Sequence, residues 1–405
     1  MNLDNFPLSS KIKIKNFNKN YYKKYNQKFD EIYFDLIKKR NDSRNIISLF
    51  NKNYKLNFKT NQLKKFHKFK TFALIGMGGS VLGSKAIYNF LEKKIKKKFY
   101  FFDDINEKKL KDFKKKEDLK KTLFLIISKS GNTIETLSNT FSLKILNKRA
   151  KNIIIISERS NNYLFNIAKK LKIFYIEHKK FVGGRFSVLS EVGILPAFFM
   201  GIDTIKLRSK ILNILKGKNK ALLKDCAIKL SYLFNSKKKN NLIFLNYSPQ
   251  LEQFLFWCQQ LIAESLGKKQ KGFLPVISNA PKDHHSLLQL YLDGPKDKLF
   301  YIFSCDENSK EKINVKKVSN TKNYLHNKSL SLIKNAQKDA LIKSLNKKEI
   351  PYREFNIKKI NEQILGKLFA YFMLETIILG KLSKINPFNQ PAVEEVKVYT
   401  KNFLN

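Results

Sequence analysis

Short runs of consecutive apolar residues alternate along this chain with longer amphipathic stretches. Phe72-Ala73-Leu74-Ile75 is one such run, followed by a glycine turn and a helical pattern from about Gly83. Leu123-Phe124-Leu125-Ile126-Ile127 is a second, again leading through a polar turn into an amphipathic helix, and residues 153–156 form a third. Apolar, β-branched runs of this length between helices indicate strands buried on both faces, and hence a parallel sheet covered by helices. The pattern returns after a lysine-rich stretch at 206–224. Residues 242–245 and 299–303 predict strands there, and 251–266 and 362–382 predict helices.

The expected fold class is therefore α/β, with two doubly wound parallel-sheet lobes. A helical N-terminal arm (1–60) precedes a first lobe (61–205) and a second (206–385). A terminal helical segment (386–405) opens on Pro387 and Pro391. No low-complexity linker divides the lobes, which predicts tight packing between them. A length of 405 residues agrees with two domains, since one hydrophobic core rarely grows that large. No run of about 18 apolar residues predicts a membrane span. The opening stretch lacks the apolar core of a signal peptide. The expected location is cytoplasmic, with no membrane partner.

Charge changes this picture less than its size suggests. The formal net charge is +47, yet only seven of the 80 basic residues are arginine. Lysine comes here with abundant Asn, Ile, Phe and Tyr, a profile that fits a genome biased toward A and T codons better than a selected nucleic-acid face. Arginine would be preferred for bidentate contacts to phosphates and bases. Nucleic-acid binding is not expected as the primary role. The charge should still concentrate a dianionic substrate at low salt. Three scattered cysteines, Cys226, Cys258 and Cys305, give neither a disulfide framework nor a zinc site. Apart from the adjacent pair His284 and His285, the five histidines show no metal-ligand spacing, so no metal is expected.

Six segments carry candidate chemistry. Gly76-Met77-Gly78-Gly79-Ser80 follows a predicted strand and enters a helix, where glycines allow close backbone approach and a helix N-terminus faces an anion. A tight turn without a ligand fits it as well. Ser128-Lys129-Ser130-Gly131-Asn132-Thr133 stands in the same place after the second strand. Its hydroxyl and cationic side chains suit phosphate oxygens, or equally an N-capping cluster. Two such turns at the carboxyl ends of strands in one sheet are compatible with a single phosphate pocket. Gly183-Gly184-Arg185-Phe186-Ser187 carries one of the rare arginines, for which a surface ion pair is the plain alternative. Glu264 closes an apolar helix just before Gly267, a C-cap candidate. A carboxylate there is disfavoured by the macrodipole, which suits a general base, although acids at helix ends are commonly just surface. Asp283-His284-His285-Ser286 offers an acid–base group near neutral pH, or an ordinary helix start. Gln390 and Lys397, about two helical turns apart, are silent in isolation.

Taken together and in this order, the six segments resemble the glucose-6-phosphate isomerase (phosphoglucose isomerase) family, over roughly 72–401. Ser128 to Thr136, Gly183 to Ser187 with Ser190 following, and Glu264 to Lys268 are the specific strings. The resemblance implies two sugar-isomerase (SIS) lobes, a cytoplasmic homodimer, and aldose–ketose isomerisation of glucose 6-phosphate and fructose 6-phosphate in glycolysis and gluconeogenesis. It implies no metal or organic cofactor. It assigns phosphate and substrate binding to Gly79, Ser80, Ser128, Lys129, Ser130, Thr133 and Gln390. Glu264 matches the base that moves a proton between C1 and C2, and Arg185 the group that stabilises the cis-enediol(ate). His285, with Gln289 four positions later, matches the ring-opening residue, which in the family reaches the site from the other subunit. Lys397 matches its assistant. Ala392 and Val396 stand where the family carries glycines, and Val396 bears on how the helix holding Lys397 lies. The rivals are another SIS-domain isomerase, expected to lack the full Glu264, His285, Gln390 and Lys397 set, and a non-enzymatic sugar-phosphate sensor, which could discard the base and the arginine.

Overall fold

Ten strands form two five-stranded sheets in the computed structural model, which describes residues 6–12, 19–51, 53–306, 309, 311–315 and 323–404. The first sheet contains β2 (Thr71–Ile75), β3 (Lys98–Phe102), β4 (Thr122–Ile127), β5 (Ile153–Ser157) and β6 (Phe174–Glu177), in the order β3-β2-β4-β5-β6 and all parallel. Every residue of β4 and β5 is buried, as their unbroken apolar runs require of strands with helices on both faces. The second sheet contains β7 (Asn241–Asn246), β8 (Leu274–Asn279), β9 (Lys298–Cys305) and β10 (Tyr352–Ile357), which are parallel to their neighbours. Its order is β1-β10-β9-β7-β8, and β1 (Leu8–Ser10) joins the far edge antiparallel to β10.

The stretch expected as a helical arm thus begins, among its described residues, with a strand belonging to the second sheet. The helix Lys19–Lys39 follows, while residues 1–5, 13–18 and 52 of that stretch lie outside the described residues.

Each sheet reverses its strand order once. In the first sheet this happens between β2 and β4, because the chain goes from β2 outward to β3 and returns to β4 on the other side. Ligands of open α/β sheets lie at the carboxyl ends of strands beside such a switch point. The loops leaving β2 and β4 there are the two phosphate-suited turns singled out above. The second sheet has its switch between β7 and β9.

The lobes meet through equivalent helices. Leu82–Phe90, which follows β2, packs along Glu252–Leu266, which follows β7. One buried apolar cluster runs through both, from Leu74 and Ile87 to Leu255, Leu261 and Phe369. The helix Glu362–Leu382 is long and apolar enough to cross a bilayer, but 89% of its apolar window is buried inside the protein. It is tied to the second sheet by Arg353 of β10, which is fully buried and donates to Glu375 and to the Tyr301 hydroxyl at 2.6 Å each. None of the three cysteines is in a disulfide, and all are buried.

Candidate active site

The turn 76–80 is the hub on which the other segments converge. Gly76 lies against the end of β4, where an added Cβ would stand 2.8 Å from the Ile127 carbonyl oxygen. Gly78, at φ +50°, leaves room for Gln260, whose amide nitrogen a Cβ would meet at 2.6 Å. Gly79 touches the backbone of Gly184 and Arg185, with 2.5 Å from a Cβ to the Arg185 nitrogen. Ser187 fastens this junction by donating to the carbonyls of Gly79 (3.2 Å) and Gly184 (2.7 Å). One glycine turn therefore abuts the strand end that opens the loop 128–133, the helix carrying Glu264 and the turn carrying Arg185.

Arg185 is 2% exposed, which excludes the surface ion pair that was its plain alternative. All five of its N–H groups have acceptors. Nε donates to the Ser265 hydroxyl (2.8 Å), and one terminal nitrogen to Glu264 (3.1 Å) and the Gln390 amide oxygen. The other terminal nitrogen donates to the carbonyls of Pro387 (2.7 Å) and Asn389 (3.1 Å). Burial lowers the guanidinium's proton affinity below its ordinary value, and the Glu264 carboxylate acts the other way. Glu264 is on the last turn of Glu252–Leu266, with Gly267 as C-cap, and its side chain keeps 29% of its surface open. Its second oxygen accepts from Gln260 at 3.0 Å, one helical turn back. The amide oxygen of Gln260 is buried without a hydrogen-bond partner among the described residues.

The loop 128–133 is shaped by its own hydroxyls. Thr133 is the N-cap of Ile134–Ser142 but makes no capping bond with its side chain. Its hydroxyl instead pairs with Ser128 at 2.8 Å and with Ser130 at 3.5 Å. The N-capping alternative therefore does not describe this cluster. Gly131, at φ +67°, is pressed onto Asn162, where a side chain would overlap. Lys129 turns aside, its ammonium donating to the Lys180 carbonyl (3.0 Å) and facing Glu158 at 3.4 Å. Behind it lies His178, buried, its imidazole pushed down to about 4 by burial and by the charge of Lys129. Ser80 is buried at the end of the glycine turn.

Two expected participants stand apart. His285 is exposed on the short turn Lys282–His285 beyond β8, the outer strand of the second sheet. Its neighbour His284 instead meets the Tyr247 hydroxyl at 2.7 Å. Gln289 is exposed as well and bonds to Asp293 at 3.3 Å. Lys397 is on the helix Ala392–Leu404, none of whose residues is buried. It pairs with Glu394 of the same helix, at 2.7 Å, with no bond to Glu264, Arg185 or Gln390 among the described residues. Val396 is 65% exposed, and Tyr399, Phe403 and Leu404 are also open.

Composition and motif reasoning missed Gln260, Ser265, Lys268 and the carbonyls of Pro387 and Asn389. Gln260 was within reach of it, since four residues before an acid on a helix is the same face. Among the described residues no group of three or more His, Cys, Asp or Glu side chains is placed to hold a metal ion. A cavity of about 750 Å³ lies at the opposite, amino-terminal end of the first sheet beside Lys70, Glu117 and Lys151. Glu117 there is engaged by Tyr100 and Thr71.

The phosphoglucose isomerase family model matches residues 52–405. A probable glucose-6-phosphate isomerase of Methanococcus maripaludis is 35% identical over 373 residues, covering 88% of this chain and 83% of that protein. A glucose-6-phosphate isomerase of Methanocaldococcus jannaschii is 33% identical over 357 residues, covering 82% and 84%. Among solved structures, a hypothetical protein of Thermus thermophilus is similar with a TM-score of 0.80 at 26% identity, covering 95% of this chain and 96% of that one. A glucose-6-phosphate isomerase from Chlamydia trachomatis shares the fold, with a TM-score of 0.69 at 19% identity over 97% and 76% of the two chains.

Proposed function

The chain belongs to the phosphoglucose isomerase family, and from that premise we propose how its own side chains perform the family's reaction. The activity is that of a glucose-6-phosphate isomerase, an aldose–ketose isomerisation between glucose 6-phosphate and fructose 6-phosphate. The observation that carries the site is the 3.1 Å contact between Glu264 and Arg185, beside a glycine turn that also abuts the hydroxyl-rich loop.

The substrate phosphate is held by Ser80, Ser128, Ser130 and Thr133, with the backbone of Gly79 and Lys129. A grip far from the reacting carbons supplies binding energy and orientation without entering the bond changes. The ammonium of Lys129, held by Glu158 and a carbonyl, contributes its field. At the other end Glu264 takes the proton from C2 of the open-chain aldose. The C2–H electron pair becomes the C1–C2 double bond of the enediolate, and the carbonyl oxygen becomes negative. Glu264 then returns the proton to C1, and a hydroxyl proton passes between the two oxygens, so no net redox change occurs. Arg185 is the fixed positive charge beside that oxygen, in a buried setting where such charges act strongly. Gln390 is the group for the substrate hydroxyls.

Ring opening is assigned to the partner subunit's His285, assisted by Lys397, in a homodimer. The exposure of His285 at the outer edge of the second sheet supports this, as does the open apolar face of the helix Ala392–Leu404. A monomer by light scattering at micromolar concentration would remove this part of the proposal. A cytoplasmic place in glycolysis and gluconeogenesis belongs to the same proposal, checked by fractionating cells of the source.

The decisive experiment is a coupled assay for glucose 6-phosphate formation with Glu264→Gln beside the native chain. The variant should lose about 10²–10⁴-fold or more in turnover, the range for removal of a general base, while still binding fructose 6-phosphate. Unchanged turnover would overturn the assignment of the base.

A further inference from the structure

The turn after the helix Glu252–Leu266 carries a side chain that the reaction above does not use. Lys268 is pinned at its backbone, donating to the Lys271 carbonyl at 3.0 Å and accepting from the Lys271 N–H at 3.0 Å. Between them Lys269 and Gln270 both sit at φ +54°, the left-handed pair of a type I′ reversal. From this fixed point the ammonium donates to the Ser265 carbonyl at 2.8 Å and to the Asn386 carbonyl at 2.7 Å. One charge thus joins the end of a helix to the start of the segment 386–390.

Those two pieces of chain hold every acceptor of the Arg185 guanidinium. Glu264 and the Ser265 hydroxyl come from the helix, and the Pro387 carbonyl, the Asn389 carbonyl and the Gln390 amide from the segment. Building on the roles given above to Glu264 and Arg185, we propose that Lys268 is a positioning residue for the isomerisation, a clamp that sets the gap between helix and segment and so keeps the guanidinium against the carboxylate.

The clamp is sensitive to alkali. Arg185 and Glu264 are the charged groups facing it, and the segment 386–390 contributes none. Lys269 and Lys271 point elsewhere, to the Lys384 carbonyl (3.4 Å) and the Asn235 side chain (3.0 Å). Burial and then the charge of Arg185 push the Lys268 ammonium down to about 8, with Glu264 opposing. Losing the proton turns two charge-assisted bonds into ordinary ones, which are roughly half as strong. The geometry should loosen as pH rises.

The test compares Lys268→Met and Lys268→Arg with the native chain, with Glu264→Gln as reference. A loosened pair misplaced by about 1 Å should cost up to about 10²-fold. Lys268→Met should therefore lose at least about tenfold in kcat with little change in KM for fructose 6-phosphate, and Lys268→Arg should recover most of it. The native kcat should fall with a midpoint near pH 8, and Lys268→Arg should move that fall to higher pH. Native kcat in a folded Lys268→Met, a loss confined to KM, or the same alkaline fall in native and Lys268→Arg would each overturn the clamp. If Lys268→Met fails to fold, the pH profile of Lys268→Arg decides. An active Glu264→Gln would bring down the assignment of the base itself, a result separable from anything Lys268 does.

Discussion

Adding one methyl group at Gly79 should disable the site without touching any group that meets the substrate through its side chain. A Cβ there would stand 2.5 Å from the Arg185 nitrogen and closer still to the carbonyl of Gly184. Comfortable contact is about 3.5 Å, so the two turns must part by about 1 Å, and both obstacles are backbone that no rotamer change can move. Arg185 rides on the displaced turn, while its acceptors belong to other parts of the chain. A displacement of about 1 Å in a catalytic constellation costs about 10²-fold, or about 2.7 kcal/mol of transition-state stabilisation. Overpacking of this kind costs about 1–3 kcal/mol in stability, which a domain of this size survives. Gly183→Ala is the control. Gly183 has φ −67°, which any residue adopts, and its added methyl would meet only the Phe186 ring at an ordinary 3.5 Å. Thermal melting with the coupled assay separates folding from activity. A folded Gly79→Ala within about threefold of native kcat/KM, or an equal loss in Gly183→Ala, would refute the packing logic from which that 10²-fold figure comes.

Other perturbations test other parts of the site. In the proposed phosphate grip Ser130→Ala removes one donor, and a hydrogen bond to a charged group is worth about 1.5–3 kcal/mol. KM for fructose 6-phosphate should rise roughly tenfold or more with kcat changed much less, and the reverse pattern would count against an anchor. His178 gives a stability prediction. Its folded value of about 4 lies below the ordinary 6.5, so the fold binds fewer protons than the unfolded chain between those values. The contribution is full above pH 6.5 and is lost as pH falls toward 4, amounting to about 3 kcal/mol in all. In urea titrations the stability advantage of the native chain over His178→Gln should shrink by that amount between pH 7 and 4, and a gap independent of pH would contradict it.

How much of this was legible in the sequence depended on whether a residue's surroundings were local. Strands β2, β4, β5, β7 and β9 were evident because burial on both faces forces unbroken apolar runs. The others were not. β8 contains Pro275, and β10 carries Arg353 and Glu354, so neither shows such a run. Arg353 is tolerated only because Glu375, twenty-two residues away, meets it in the core. No window of about 11–18 residues, the span over which periodicity is read, contains both. Likewise the strand β1 is three residues long and is defined by its partner β10 alone.

For the site, the strings led to Glu264, Arg185, Gln390 and the serine loop, and the fold brings these together around the turn 76–80. The orientation of Lys129 was not legible, since it follows from Glu158 on the next loop. Neither were the backbone carbonyls around Arg185, because main-chain acceptors leave no signature in residue type. His285 and Lys397 stand apart from these groups, His285 exposed beyond β8 and Lys397 paired with Glu394 of its own helix.

A cation whose every hydrogen is already spoken for can greet a newcomer only by dismissing someone. In the proposed reaction the newcomer is the oxygen that turns negative, and it does so at the moment Glu264 gains a proton and ceases to be an anion. The carboxyl then becomes the weakest claimant on Arg185, and its share of the guanidinium passes to the oxygen beside it. Return of the proton reverses the exchange, so the two partners work as a see-saw, and the net charge around the guanidinium stays level throughout the turnover.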